Sequence, residues 1–452
     1  MVLGHKKNTK LFSIVGVILF IALILSAITA VDRNAAYGSP VSAHKKQIRL
    51  SAIVCDLGHA ERWHVLFQPA IQKLQTRHPD LDIQINYVSL PYNQTRTQLL
   101  RAMTNQTPVD LVSVDQIWLG EFAQKGLLTD LTNYVMKWGR ASDWYQANLA
   151  GEVYKGKIYG IWTWTDARGI WYWKDLINKA GVDPTLLKTW DGYIASAKKL
   201  DEVLKNQGIQ GTILFNTTYS PDMWYPYLWM LGGDIIKQKS GHPTKGTYWF
   251  PAYNSSAGVS ALQFIKEQVN AGIKPRGGNV EQAFFDRKAA VMLMGTWIPG
   301  QFTTEQRQAF GQKVGFIPAF PVPKGVSQSA TMMGGWELGI PKSSQNKGLA
   351  WELISLIQEP EIITPWLQLF VFLPTQKNIS SGPQLDYLKQ TFPYYDEFIS
   401  MIPIGHSRPS ISEYPQIADH IQQAIDDVQF GIKEPKQALD NAAAKSAKVL
   451  GW

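Results

Sequence analysis

An α/β fold in two lobes or domains, the first a mostly parallel sheet flanked by helices, is predicted for this chain by three observations. Its 452 residues exceed what one hydrophobic core usually organises. Its first third alternates strand-like and helix-like patterns, the signature of sheets covered by helices. Its segment Val109-Asp110-Leu111-Val112-Ser113-Val114-Asp115-Gln116-Ile117-Trp118 runs from an apolar strand into a carboxylate, an indole and a helix that Gly126 closes. Open α/β sheets hold ligands in the crevice outside the carboxyl ends of their strands, so Asp115 and Trp118 are candidates to face one.

The elements follow in order. Residues Leu11 to Val31 are uncharged and apolar behind Lys6, Lys7 and Lys10, which reads as a signal peptide or an N-terminal membrane anchor over residues 1–31. Residues 32–47 lack periodicity and read as a flexible spacer. Folding is expected from Ile48, with a strand to Val54, a helix over Glu61 to His78, a strand from Leu81 to Val88, a helix from Thr95 to Asn105 and the Val109 to Val114 strand. Further on, Thr189-Trp190-Asp191 starts a helix, Gln210 to Phe215 and Ala289 to Met294 read as strands, and 255–272, 281–288, 412–430 and 434–450 as helices.

Composition narrows the function. Apolar residues make up 45% and charged ones 18%, as in a globular protein. The formal charge of +8 falls to +5 once residues 1–30 are set aside, and no lysine–arginine block tracks nucleic acid. With Cys55 alone, no internal disulfide forms, and its place in a strand predicts a buried thiol. The eight histidines show no metal-ligand spacing, and the nucleophile-elbow, phosphate-loop and zinc-protease motifs are absent. No catalytic residue, metal or cofactor is implied by these motifs, although a spatial carboxylate pair for glycoside hydrolysis needs no local signature.

The 17 tryptophans are about three times ordinary usage. Surplus indole serves a core, and it also serves a sugar, whose apolar C–H faces need flat rings and whose hydroxyl rim needs bidentate acceptors and donors. Covering one sugar face contributes about 1 kcal/mol by area. Trp162 and Trp164, one residue apart on an extended chain, point to the same side and form either one aromatic wall or ordinary packing.

Several stretches, in order, resemble the extracellular solute-binding proteins that deliver sugars to ABC importers: the Asp115-Gln116-Ile117-Trp118 segment, Gly156-Lys157-Ile158-Tyr159-Gly160, Gly169-Ile170-Trp171-Tyr172, Gly315-Phe316-Ile317-Pro318, Gly334-Gly335-Trp336-Glu337 and Leu373-Pro374-Thr375. The resemblance covers roughly residues 48–452. It implies a two-lobed periplasmic-binding-protein-like α/β fold of type II, each lobe a mostly parallel sheet flanked by helices, with the N-terminal lobe in 48–170 plus 316–358, the C-terminal lobe in 174–313 plus 361–452, and the ligand cleft between them. Ligand-facing positions implied by it are His59, Arg62, Asp115 and Trp118 in the first lobe, Trp164 and Asp166 before the crossing strand, and Trp224, Trp297, Gly335, Trp336, Arg408 and Tyr414 beyond it. Each has a structural alternative: Asp115 as helix cap, the indoles as core, Gly335 as turn, Arg408 as an ion pair. The implied partners are a small-molecule sugar and the membrane permease subunits of an ABC importer, for a monomer located extracytoplasmically, with no nucleic acid. The alternatives are a secreted carbohydrate-active enzyme, or a binding protein for a glycerol phosphate or acidic sugar.

Overall fold

The computed structural model describes residues 45–56, 59–212, 221–273 and 280–452. The expected leader and most of the spacer lie outside the described residues, as does the end of the strand expected over Gln210 to Phe215. Among the described residues no helix is long and apolar enough to cross a membrane.

The first lobe is built on strands β1 (Lys46–Cys55), β2 (Leu81–Leu90) and β3 (Leu111–Asp115), with helices α1 (Trp63–Arg77), α2 (Tyr92–Thr104), α3 (Gln116–Gln124) and the short α4 (Gln146–Gly151). Each element follows its pattern. Strand β3 is buried on both faces, and α1 buries Trp63, Leu66, Phe67, Ala70 and Leu74, one helical stripe. Strand β4 (Ile161–Asp166) closes this sheet, and after Ala167 the chain enters β5 (Arg168–Trp173) of the second sheet. The second lobe adds α5 (Trp190–Leu204), capped by Thr189, β6 (Gln210–Thr212), α6 (Ser256–Asn270), capped by Ser255, strand β7 (Ala289–Gly295), helix α7 (Thr304–Lys313) and strand β8 (Val314–Ile317). The chain then returns through β9 (Gly334–Gly339), α8 (Lys347–Ile357) and α9 (Pro360–Phe370), and ends in α10 (Tyr414–Gln429) and α11 (Pro435–Val449).

The strand orders are β2-β1-β3-β9-β4 and β8-β5-β7-β6. The two-lobed α/β architecture is therefore present, with mixed sheets. Strands β1 and β3 run parallel, as do β7 and β6, whereas β9 and β5 run antiparallel to both of their neighbours. The reason is topological, since a strand that enters its sheet from the other lobe arrives in the opposite sense.

Three expected boundaries shift. Residues 168–170 belong to β5 and Phe316-Ile317 to β8, both in the second sheet, so the return to the first sheet falls between Ile317 and Gly334. Helix α9, expected in the second lobe, packs with α8 on α1 of the first. Its C-terminus is followed by Leu373, whose backbone exchanges two hydrogen bonds with Thr165 beside the first crossing. The closing helices α10 and α11 pack on α6.

Candidate functional site

The C-terminal end of β3 delivers Asp115 to a cleft of about 490 Å³. Antiparallel register sets Trp336 of β9 beside it, and Trp164 of β4 beside Trp336. Asp115 lines the cleft and caps a helix. Its Oδ1 accepts from the Ile117 N–H at 3.3 Å, capping α3, and its Oδ2 accepts from the Tyr92 hydroxyl at 3.2 Å. Trp164 lies flat on Phe372, centroids 3.7 Å apart, and Phe372 lies flat on Phe370 at 4.8 Å. Gly335 lets this wall close up: at its φ of +143° a Cβ would fall 2.2 Å from the Trp164 carbonyl oxygen.

The second lobe supplies the opposite wall. Trp297 donates from its Nε1 to Glu281 at 3.2 Å, Gln301 donates to the other Glu281 oxygen at 2.6 Å, and the Arg168 guanidinium lies 4.9 Å from the Trp297 ring. Across the floor, acids and bases alternate. Asp166 pairs with Arg168, and Arg168 lies 3.9 Å from Asp222. Arg408 then bonds Asp222 at 3.0 Å and reaches Asp115 at 3.6 Å, which joins the two walls through one guanidinium. Burial works against the Arg408 charge, but Asp222 and Asp115 outweigh it and hold its pKa above the usual arginine value. Burial raises the Asp115 carboxyl, with Arg408 opposing, and burial also raises Glu281. His59 at the rim is lowered by its burial and by neighbouring Arg62. Among the described residues no group of three or more His, Cys, Asp and Glu side chains is placed to hold a metal ion.

Comparison with known proteins agrees with this architecture. The profile of the bacterial extracellular solute-binding proteins matches residues 64–362. The chain belongs to that family. This solute-binding protein is 26% identical over 396 residues to an arabinooligosaccharide-binding protein of Bacillus subtilis (strain 168), covering 83% of this chain and 87% of the relative. It is 25% identical over 384 residues to a putative binding protein of Brucella abortus (strain 2308), covering 81% and 86%. Its fold is similar to that of the cyclic alpha-maltosyl-1,6-maltose binding protein from Arthrobacter globiformis, with a TM-score of 0.73 and 22% identity over 90% of this chain and 99% of the other.

In this solute-binding protein the cleft gathers His59, Asp115, Trp164, Asp166, Trp297, Gly335, Trp336 and Arg408 of the positions anticipated from sequence. Four others lie elsewhere. Arg62 turns to the Gly300 and Leu369 carbonyls at 2.9 and 2.8 Å. Trp118, in the first turn of α3, packs edge-on behind Trp336 at 5.3 Å and supports the wall from outside. Trp224 is fully buried in the core, and Tyr414 donates its buried hydroxyl to Tyr225. Trp162 and Trp164 do not form one wall, because a register shift between Trp336 and Glu337 pairs Trp164 with Trp336 but Trp162 with Glu337. Trp162 therefore packs on the reverse face, against Gly151.

The sequence reading passed over Tyr92, Asp222, Glu281, Gln301, Phe370 and Phe372, all of which line the cleft. Tyr92 carried one signal, its position directly after the second strand. The others converge only through the fold. Cys55 is buried, as expected, at the edge of the cleft. A larger groove of about 1090 Å³ shares Arg408 with the cleft, but the ionic chain and the paired aromatic walls converge on the smaller space.

Proposed function

We propose that this solute-binding protein takes a neutral sugar, a di- or oligosaccharide, between its lobes outside the cytoplasm, closes on it by hinge motion and presents it to the permease subunits of an ABC importer. The observation that carries the reading is the pairing of flat rings on both walls, Trp164 and Trp336 against Trp297, with the Asp115–Arg408–Asp222 bridge between them. Rings cover the C–H faces of a pyranose, and the carboxylates accept from its hydroxyls. Ligand that touches both walls favours the closed state by its greater affinity for it. The oligosaccharide named for the Bacillus relative supports the ligand class.

Charge argues against an acidic sugar or a glycerol phosphate. Asp56, Asp115, Asp166, Asp222 and Glu281 line the cleft against Arg168 and Arg408, and both guanidiniums already face carboxylates. An anion there meets net negative charge. Tryptophan-fluorescence titration with maltose, trehalose, cellobiose, xylobiose, glucose and glycerol 3-phosphate tests the reading. Saturation by one of the sugars, recovered intact, with no response to glycerol 3-phosphate, is the expected result. Saturation by the phosphate alone overturns the neutral-ligand reading, and recovery of cleaved sugar would replace binding with catalysis.

A further inference from the structure

The reverse face of the cleft floor holds two buried acids that the binding site does not use. Glu337 follows Trp336 in β9, and its pairing with Val114 and Trp162 puts its side chain on the face opposite the cleft. It is fully buried, and neither carboxyl oxygen has a hydrogen-bond partner among the described residues. Gly160 makes room for it, since a Cβ there would fall 2.2 Å from Glu337 Oε2. Glu152, just beyond α4, is buried beside it and accepts from the Trp162 N–H at 2.9 Å. The Gln116 Oε1 and the Trp162 Nε1–H are also buried without partners among the described residues, and both side chains crowd Gly151 at the end of α4.

The charged groups facing Glu337 are Glu152 and Asp115, both acids. Among the described residues neither Glu152 nor Glu337 forms an ion pair, and the nearby Arg408 guanidinium is engaged on the cleft side by Asp222 and Asp115. Two adjacent carboxylates cannot both stay charged in an apolar layer without a counter-ion. We propose that Glu152 and Glu337 form a proton-binding site beneath the cleft floor, and that loss of its protons loosens the floor on which the ligand rests. Burial accordingly raises Glu152 to about 8, and burial with the neighbouring Glu152 raises Glu337 well above the carboxylate range.

The layer is tied to the cleft through short links. Gln116, next to Asp115, donates to the Arg408 carbonyl at 2.9 Å and to the Ser410 hydroxyl at 2.7 Å. Ser410 in turn donates to the Gly151 carbonyl at 2.7 Å. The Trp162 ring lies against Gly335, within 2.7 Å of where a Cβ would stand. Charging Glu337 draws water or donors into this layer, and the segments that give way carry Asp115, Gly335 and Arg408. The consequence for a bound sugar rests on the proposed function. The proton site itself does not.

Hydrogen exchange of the β4 and β9 amides in the full chain, corrected for intrinsic rates, tests it without any ligand at about pH 6 and about pH 9. Protection is expected to fall by roughly tenfold per pH unit for each acid as the pH climbs towards the raised values and to level off above them, and to fall less steeply in Glu337→Gln and in Glu152→Gln, each of which removes one of the two acids. Either variant suffices if the other does not fold. Infrared spectra of the unmodified protein supply a second readout, a protonated-carboxyl band lost over the same pH range and diminished in whichever variant folds. Equal protection at both pH values, or an undiminished loss in the variants, overturns the proposal. So does recovery of protection at high pH on adding calcium or sodium chloride, which would make the pair a cation site.

Discussion

The two faces of strands β3, β9 and β4 handle buried acid in opposite ways. On the cleft face Asp115 is compensated by Arg408, by the Tyr92 hydroxyl and by the Ile117 amide. On the reverse face, among the described residues, the Glu337 carboxyl has no hydrogen-bond partner and the Glu152 carboxyl accepts from one backbone amide. One step along β9, from Trp336 to Glu337, separates the two regimes. The cleft-side carboxylate faces a guanidinium that also spans the lobes, whereas the reverse-side acids face none among the described residues. The contrast is between buried acid with a counter-charge and buried acid without one.

The sharpest way to break that contrast is to make the cleft face resemble the reverse face. Arg408→Met removes the only cation among the described residues within 4.0 Å of Asp115 and leaves Asp222 with the more distant Arg168. Removing one partner of a buried ion pair costs about 3–5 kcal/mol, because the stranded charges stay buried. A loss of that size is expected in urea unfolding at neutral pH. It should shrink under mildly acidic conditions, where the stranded carboxyls take up protons.

The next effect lies on the reverse face and has a defined sign. Glu152 titrates near 8 in the folded chain against an ordinary 4.5. Between those values the folded state holds a proton that the unfolded state has released, so stability falls as pH rises through this window and levels off above it. The slope contributed by one such group approaches about 1.4 kcal/mol per pH unit at most. Urea midpoints measured from pH 5 to 8 are expected to decline less steeply in Glu152→Gln than in the unmodified protein. Equal slopes would mean that Glu152 is compensated after all.

How much of this was legible in the sequence depends on whether the signal was local. Asp115 was legible because a strand end, a helix cap and a crevice coincide in one short segment, and periodicity located the five longest helices, α1, α5, α6, α10 and α11, for the same reason. Trp162 stayed open between wall and packing because strict alternation assumes an unbroken ladder, and a bulge reverses the parity of neighbouring residues. Trp224 and Tyr414 were misplaced because an aromatic that packs a core has the same local signature as one that packs a ligand. Asp222 and Glu281 reach the cleft from distant parts of the second lobe, so their role is set by tertiary convergence. The lobe boundaries moved because sheet membership is decided by partners such as β5 for β8, which a strand pattern does not name.

The finest test separates the residue that faces the cleft from the one that supports it. Asp115→Asn preserves a side-chain cap for α3, so stability should change by no more than about 1 kcal/mol. It replaces a carboxylate with a neutral amide opposite Arg408, and sugar affinity is expected to drop about tenfold, or about 1.4 kcal/mol. Trp118→Phe keeps an aromatic ring behind Trp336 and alters no cleft-lining group. Titration of this variant with the sugar that saturates the unmodified protein should return an affinity within about twofold, which is about 0.4 kcal/mol. A tenfold loss for Trp118→Phe would move the indole from support to contact, and the wall of the site would then extend one layer deeper than Trp336.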